Sequence, residues 1–478
     1  MKNLLSKITY QDFIFYVLTV SLFYVFLMPF TTYVSLHLIP DPSGSVNHYM
    51  NDTRTTNINL FKDRNYIFYY VMCVASIMIL LHRDTVYSIV NMFNDFSKTI
   101  RVSIVIFFAL GFLSAVFAIS PSIAFKGVSI TLMQFLCVLF VANYIRNRQF
   151  SIEVFYRVIL LSIILFVGML FLQLSLSNFS IYGDIVAGNI QQGLLSRYNT
   201  LNPRFLDNYF SWFIPLLVLP WLCNYRQIYK LGSFVALSLL WFVVINRGSR
   251  AIFVEYLVIL PLMYIYARQY FKTFFIIIII TLIMGIIVNF GYKELIMVGG
   301  LDSINEIQRY GSSGRIYLWK EAFNVGLSHP LLGVGQWNYI AVAQVAANNY
   351  PHNLLLEIWS QWGIPAFIAA VVVMYTCVKN IFVNRASIVI NPIYLIFITM
   401  LLAGMIDGMV SAMFKTSLGL FGCVFVFGFA LSIFTQHKGT FVDVESYSKV
   451  IHIGLGVLVS ACVSCVVILP LIFQPIWL

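Results

Sequence analysis

Three side chains able to do chemistry stand at the ends of apolar runs, where a charged or titratable group costs free energy unless it is paired or used. His352 opens one run, within Tyr350-Pro351-His352-Asn353-Leu354-Leu355-Leu356-Glu357-Ile358-Trp359. Arg250 opens another, within Asn246-Arg247-Gly248-Ser249-Arg250-Ala251, and Arg315 begins an amphipathic stretch inside the longest polar loop. Pro351 is a good first-turn residue, which predicts His352 at a helix N-terminus. The helix dipole there disfavours the imidazolium, and a neutral imidazole can take a proton from a hydroxyl. An arginine fork holds phosphate oxygens bidentately and stays charged. At the helix start predicted for Arg315, backbone N–H groups add to that anion site. The set suits base-assisted chemistry on a phosphate ester. Each residue also has a plainer reading: His352 as a cap or a headgroup contact, Arg247 and Arg250 snorkelling to the interface, Trp319 as an interfacial anchor rather than a platform for a sugar.

Further charged candidates flank these. Arg197 and Arg204 lie in Ser196-Arg197-Tyr198-Asn199-Thr200-Leu201-Asn202-Pro203-Arg204-Phe205-Leu206-Asp207, ahead of an apolar run. Arg204 and Asp207 at i,i+3 can also simply pair. Asp407 falls inside an apolar run, either as partner to an arginine of another helix or as part of a site. No phosphate-cradling glycine loop, metal-ligand spacing or serine nucleophile motif stands out, so neither a cofactor nor a metal is expected. An enzyme built this way takes a donor that is already activated and arrives through the membrane, such as a lipid diphosphate.

The elements that must position these residues are membrane helices. The chain of 478 residues is 60% hydrophobic and only 10% charged, with mean hydropathy +0.88. Apolar runs near the roughly 20-residue length of a membrane span recur throughout. They lie at about 12–37, 66–82, 102–119, 123–144, 154–176, 205–223, 231–246, 251–267, 273–291, 353–378, 391–412, 416–435 and 450–472. The expected fold is an all-α polytopic membrane protein of about 12–13 transmembrane helices. The first run lacks a small-residue cleavage site and reads as a retained span. The net charge of +11 is spread over short loops with no basic, aromatic-interleaved tract, so it fits contact with membrane lipids rather than nucleic acid. The cysteines (73, 137, 223, 377, 423, 462, 465) fall in or beside apolar runs and indicate neither a disulfide framework nor a zinc site.

Loop charge places the N-terminus in the cytoplasm. Arg197, Arg204, Arg250, Arg315 and His352 then share the outer side, many of the outer arginines lying in loops 177–204 and 292–351. Either they bind an anion or they pair with Asp184, Glu294, Asp302, Glu306 and Glu321. Within 292–351, Ser312-Ser313-Gly314 offers a helix start, Leu318, Ala322 and Val325 share one apolar face, and Gly326 offers a stop. After Pro330 and Gly333-Val334-Gly335 a second apolar run reaches Ala347. The loop therefore reads as two short interfacial helices forming a lid. The chain divides into N-terminal helices 1–190, a core 191–435 holding this loop, and an extra span in 436–478.

At these residues the chain resembles the O-antigen ligase and polymerase superfamily, bacterial inner-membrane glycosyltransferases that use undecaprenyl-diphosphate-linked glycans. The resemblance rests on Arg247-Gly248-Ser249-Arg250, on Gly314-Arg315-Ile316-Tyr317-Leu318-Trp319-Lys320-Glu321-Ala322 followed by His329-Pro330-Leu331-Leu332-Gly333-Val334-Gly335, and on Pro351-His352-Asn353-Leu354 continuing into Trp362-Gly363-Ile364-Pro365-Ala366. Asn202-Pro203-Arg204-Phe205 adds to it, so that it runs from about 190 to 435. It implies a periplasmic site with His352 as the catalytic histidine and Arg250 and Arg315 as diphosphate-binding arginines. It implies direct, inverting, metal-independent transfer from an undecaprenyl-diphosphate-linked glycan. Ligation to lipid A–core is the leading expectation. Polymerisation onto a second lipid-linked glycan follows it, then protein O-oligosaccharyl transfer. Arg315 and Gly326, separated by ten residues, match a polymerase spacing. The run 450–472 departs from the twelve spans usual for the ligases. From another class, a transporter of lipid-linked glycan predicts two similar halves, which are not visible here.

Overall fold

The computed structural model describes residues 9–37, 67–147, 152, 154–165, 207–246, 249–298, 315–343, 350–411 and 413–435. Arg197, Arg204 and the run 450–472 lie outside the described residues. So do 247–248 and 312–314, and with them most of the turn before Arg250 and the helix start before Arg315.

The described residues are helical, with no strand among them. The helices are α1 Tyr10–His37, α2 Ile67–Leu81, α3 Arg83–Asn94, α4 Lys98–Val116, α5 Pro121–Asn147, α6 Val154–Leu165, α7 Asp207–Leu222 and α8 Gln227–Asn246. They continue with α9 Arg250–Tyr266, α10 Arg268–Val298, α11 Arg315–Ser328, α12 Tyr339–Val342, α13 Leu354–Val383, α14 Arg385–Ile390, α15 Pro392–Gly408 and α16 Ser417–Thr435. Each of the first twelve expected apolar runs holds a helix. Five of these (α4, α5, α8, α10 and α13) are long and apolar enough to cross a bilayer unaided. The chain is an all-α polytopic membrane protein.

Local chemistry sets the ends. Ser97 caps α4 by accepting from the Ile100 N–H, and Asn391 caps α15 ahead of Pro392. At the other end of α9, Arg385 donates to the Ile265 and Tyr266 carbonyls, which the helix leaves without intrahelical partners. One element was not foreseen. Residues 83–94 form an amphipathic helix turned 97° from α2, with His82 capping it through the Thr85 N–H. Its Ser88 hydroxyl bonds Asn143 of α5 at 2.7 Å, and beyond its end Asp95 pairs with Arg146. A polar helix lying across the bundle end is not visible in a hydropathy scan tuned to spans.

One apolar core runs from Ile14 to Ile433 and takes residues from both chain halves. The most apolar stretch of α5 is 78% buried and forms the centre, whereas that of α13 is 17% buried and faces outward along most of its length. In α7, Trp212 sits in a socket whose walls are Gly404 of α15 and Gly422 of α16, and its indole N–H reaches the Gly419 carbonyl at 3.0 Å. Small residues let these backbones close on the ring.

Two expectations about the long loop change. Gly326 does not end its helix, because α11 continues to Ser328. Gly326 instead makes room for Trp359 of α13, whose indole nitrogen stands 2.8 Å from where a Cβ would be. The second loop helix is a single turn, α12. The apolar face of Leu318, Ala322 and Val325 is buried as expected, and Ile316, Tyr317 and Leu327 leave the opposite side apolar and exposed, as an interfacial helix requires.

The Trp212 socket gives a stability test. Gly404→Ala drives a Cβ into the ring and is expected to cost about 1–3 kcal/mol. Gly291→Ala, which meets nothing within 4 Å, is expected to be neutral or mildly stabilising. Thermal unfolding followed by size-exclusion chromatography checks both.

Candidate active site

The site begins with a break in α13. Gly363 adopts φ 83°, ψ 174°, and Pro365 follows two residues later. Only glycine takes this backbone without strain, and Pro365 has no N–H to give the carbonyl of Gln361. The freed groups find partners in the segment after α11. Val334 N–H donates to the Ser360 carbonyl at 3.0 Å, Gly335 N–H to the Gln361 carbonyl at 2.9 Å, and Ile364 N–H to the Pro330 carbonyl at 2.7 Å. The Ser114 hydroxyl of α4 adds a second donor to Gln361 O at 2.9 Å. Side chains continue the zipper, with Trp337 N–H donating to Gln361 Oε1 at 2.9 Å and the Asn338 amide bracketing the backbone of Ser120. The motif His329-Pro330-Leu331-Leu332-Gly333-Val334-Gly335 is therefore a strap over the break. Gly333 and Gly335 both have positive φ, and a Cβ on Gly333 would strike the Gln361 backbone.

The strap fixes α11 against the first half of α13, where Phe323 meets Trp359 edge to face at 4.8 Å. Arg315, the first residue of α11, is thereby held at the mouth of α13. Burial lowers the pKa of the Arg315 guanidinium; the Asp407 carboxylate opposes that shift and the Arg250 guanidinium adds to it. The Arg315 guanidinium on α11 thus feels one charged group from α15 and one from α9. Asp407 is fully buried at the end of α15, while Arg250 is exposed at the start of α9. Trp319 is half-buried one turn from Arg315, its indole N–H covered and without an acceptor among the described residues.

His352 also stands at the mouth of α13, by a route that corrects the sequence reading. It is not in the first turn of the helix. Asn353 is the N-cap, accepting from the Leu356 N–H at 3.0 Å, and α13 starts at Leu354. His352 precedes the cap in the left-handed region, at φ 54°, which few non-glycine residues adopt. The Asn353 side chain also donates to the Met409 carbonyl at 3.1 Å, two residues beyond Asp407. The cap thus ties the mouth of α13 to the end of α15. The Tyr350 ring packs 4.6 Å from the His352 ring, and burial together with the Glu357 carboxylate raises the Tyr350 hydroxyl's pKa.

Arg315 lies within electrostatic reach of Arg250 and Asp407, and Asn353, next to His352, ties the mouth of α13 to the segment just after α15. Tyr350 and the double role of Asn353 escaped the sequence reading. Asn353 had a usable signal, an Asx residue directly before an apolar helical run; its bond to Met409 had none.

Two guanidiniums with a carboxylate as internal counter-charge are chemically suited to holding an anion. Residues 235–371 match the family model described as O-antigen ligase. The match takes in Arg250, Arg315 and His352 and ends within α13, before Asp407. No curated protein matches the chain.

Coupling between Asp407 and Arg315 can be measured. In SDS-induced unfolding, Asp407→Asn and Arg315→Met are each expected to destabilise. The double variant should depart from additivity by at least about 0.5 kcal/mol, as for groups in one network. Strict additivity would put the two charges out of each other's reach.

Proposed function

The segment bearing Arg250, Arg315 and His352 is that of the O-antigen ligase and polymerase superfamily, and from this premise we propose that the chain is an O-antigen ligase. It moves a glycan from undecaprenyl diphosphate to lipid A–core on the periplasmic side of a bacterial inner membrane. What supports the reading is the electrostatic coupling of Arg315 to Arg250 and to Asp407, with Asn353 tying the mouth of α13, where His352 stands, to the segment just after α15. Polymerisation of lipid-linked repeat units is the second reading. Its spacing signal, Arg315 to Gly326, does not favour it, since Gly326 has a packing role under Trp359.

In this mechanism the acceptor hydroxyl oxygen attacks the anomeric carbon. The carbon–oxygen bond to the diphosphate breaks, and its electron pair stays on the leaving diphosphate. The hydroxyl proton goes to His352. Arg250 and Arg315 stabilise the charge that grows on the leaving oxygen. Single displacement inverts the anomeric centre. Asp407 offsets the repulsion between the two guanidiniums before the diphosphate arrives.

Deleting the gene in its host and separating lipopolysaccharide from lipid-linked glycan tests the assignment. Bare core with long chains left on undecaprenyl diphosphate is expected; core bearing one repeat unit would make the chain a polymerase. His352→Asn, which tolerates the left-handed backbone, is expected to abolish transfer while the protein still inserts. Wild-type transfer by that variant would remove the general base. Arg250→Lys should lose at least about tenfold, as expected when a bidentate fork becomes a point charge. Transfer should persist in EDTA.

A further inference from the structure

A second feature lies deeper along α13. Between α2, α4, α5 and α13 is a cavity of about 150 Å³. At about 30 Å³ of liquid volume for each water, this is room for about five waters, hence one sugar ring and not a chain of them. Its polar wall holds the Glu357 carboxylate and the amides of Gln336 and Gln361, and its flat walls are Tyr69, Trp337 and Trp362. Gln361 Nε2 donates to Glu357 Oε1 at 3.3 Å, and Gln336 Nε2 donates to Thr131 Oγ1 at 2.9 Å. Gln336 Oε1 is buried and has no hydrogen-bond partner among the described residues. A buried acceptor left this way costs about 1–3 kcal/mol, which a ligand donor would recover once the Gln336 amide turns its covered oxygen toward the cavity.

These walls select a chemistry. A carboxylate and amide oxygens accept from hydroxyls, and among the described residues no arginine lines the space to hold a phosphate. Aromatic faces give apolar contact to a ring's C–H surface. Water would satisfy the polar wall but gains nothing from three aromatic ones. The cavity also adjoins the mouth of α13, because Leu354, the first residue of that helix and two positions after His352, lines it. We propose that this cavity binds a single neutral, hydroxyl-rich sugar ring, with Gln336 Oε1 and Glu357 accepting from its hydroxyls. That the ring belongs to the donor or acceptor glycan rests on the function proposed above; the binding itself does not.

The test uses the purified full-length chain in lipid nanodiscs and saturation-transfer-difference NMR with methyl glucoside, methyl galactoside, methyl mannoside and methyl N-acetylglucosaminide. Transfer to the ring protons of at least one glycoside is expected, and Gln336→Met should weaken its binding about fivefold, as for one lost hydrogen bond. Should that variant fail to insert, Glu357→Gln, which keeps the shape, reads the same wall. No transfer to any of the four, or wild-type binding by both variants, overturns the proposal. In a transfer assay with lipid-linked donor from host membranes, a raised KM for acceptor alone identifies an acceptor sugar, and a raised KM for donor alone a donor sugar. Unchanged KM for both overturns the link to transfer. A wild-type chain that binds glycosides yet transfers no glycan would refute the ligase and polymerase readings and leave the cavity assignment standing.

Discussion

Everything at the functional end of this protein depends on how the broken backbone of α13 is satisfied. Within a bilayer an unpaired carbonyl or N–H costs several kcal/mol, so irregular backbone survives only where protein covers it. Gly363 and Pro365 open such a break, and the strap Pro330–Gly335 closes it with three main-chain bonds. The strap cannot close without bringing α11 down beside α13, nor without delivering Trp337 and Gln336 into the bundle. Arg315, the cavity wall and the mouth of α13 are therefore placed by one event. This explains why the strap motif is dense in glycine and proline: each has a backbone task there, and neither touches the charged groups.

The charged groups around Arg315 are an electrostatic compromise. The Arg315 guanidinium loses hydration as it is partly buried and is repelled by exposed Arg250. A fully buried carboxylate at the end of α15 makes the arrangement tolerable, and on the mechanism proposed above a diphosphate would compete with that carboxylate rather than fill bare positive charge. His352 stands at the mouth of α13 on a strained backbone, directly before its neighbour's cap. The left-handed turn aims the imidazole differently from a residue in the helix proper, so its direction is set by Asn353 and by the Tyr350 ring more than by the axis of α13.

The spans were legible because apolar runs of membrane length leave few alternatives. Arg250 and Arg315 were legible as helix-start cations, and Asp407 as a carboxylate needing a reason to be buried. What was hidden has a common cause. The right-angle turn into α3 depends on a cap at His82 and on polar contacts with α5. The position of His352 outside its helix depends on Asn353 reaching Met409. Gly326 looks like a stop and is a slot for Trp359. Each is decided by a partner distant in sequence, and periodicity carries no information about such partners. The roles of Arg197 and Arg204 rest on sequence alone.

The Trp212 socket has a mechanical meaning for the site. A ring caught between glycines of two other helices makes α7, α15 and α16 a single interlocked block, and Asp407 stands at the end of the middle member. That carboxylate cannot travel without dragging three helices and their shared indole. The opposite wall is attached otherwise: α11 rests on a few side chains and hangs from a strap of six residues. Motion that admits a bulky glycan and releases a spent lipid must therefore fall on the Arg315 side, against a fixed anvil at Asp407. The asymmetry gives the enzyme one reference point that keeps its place through each turnover, and one cation that swings.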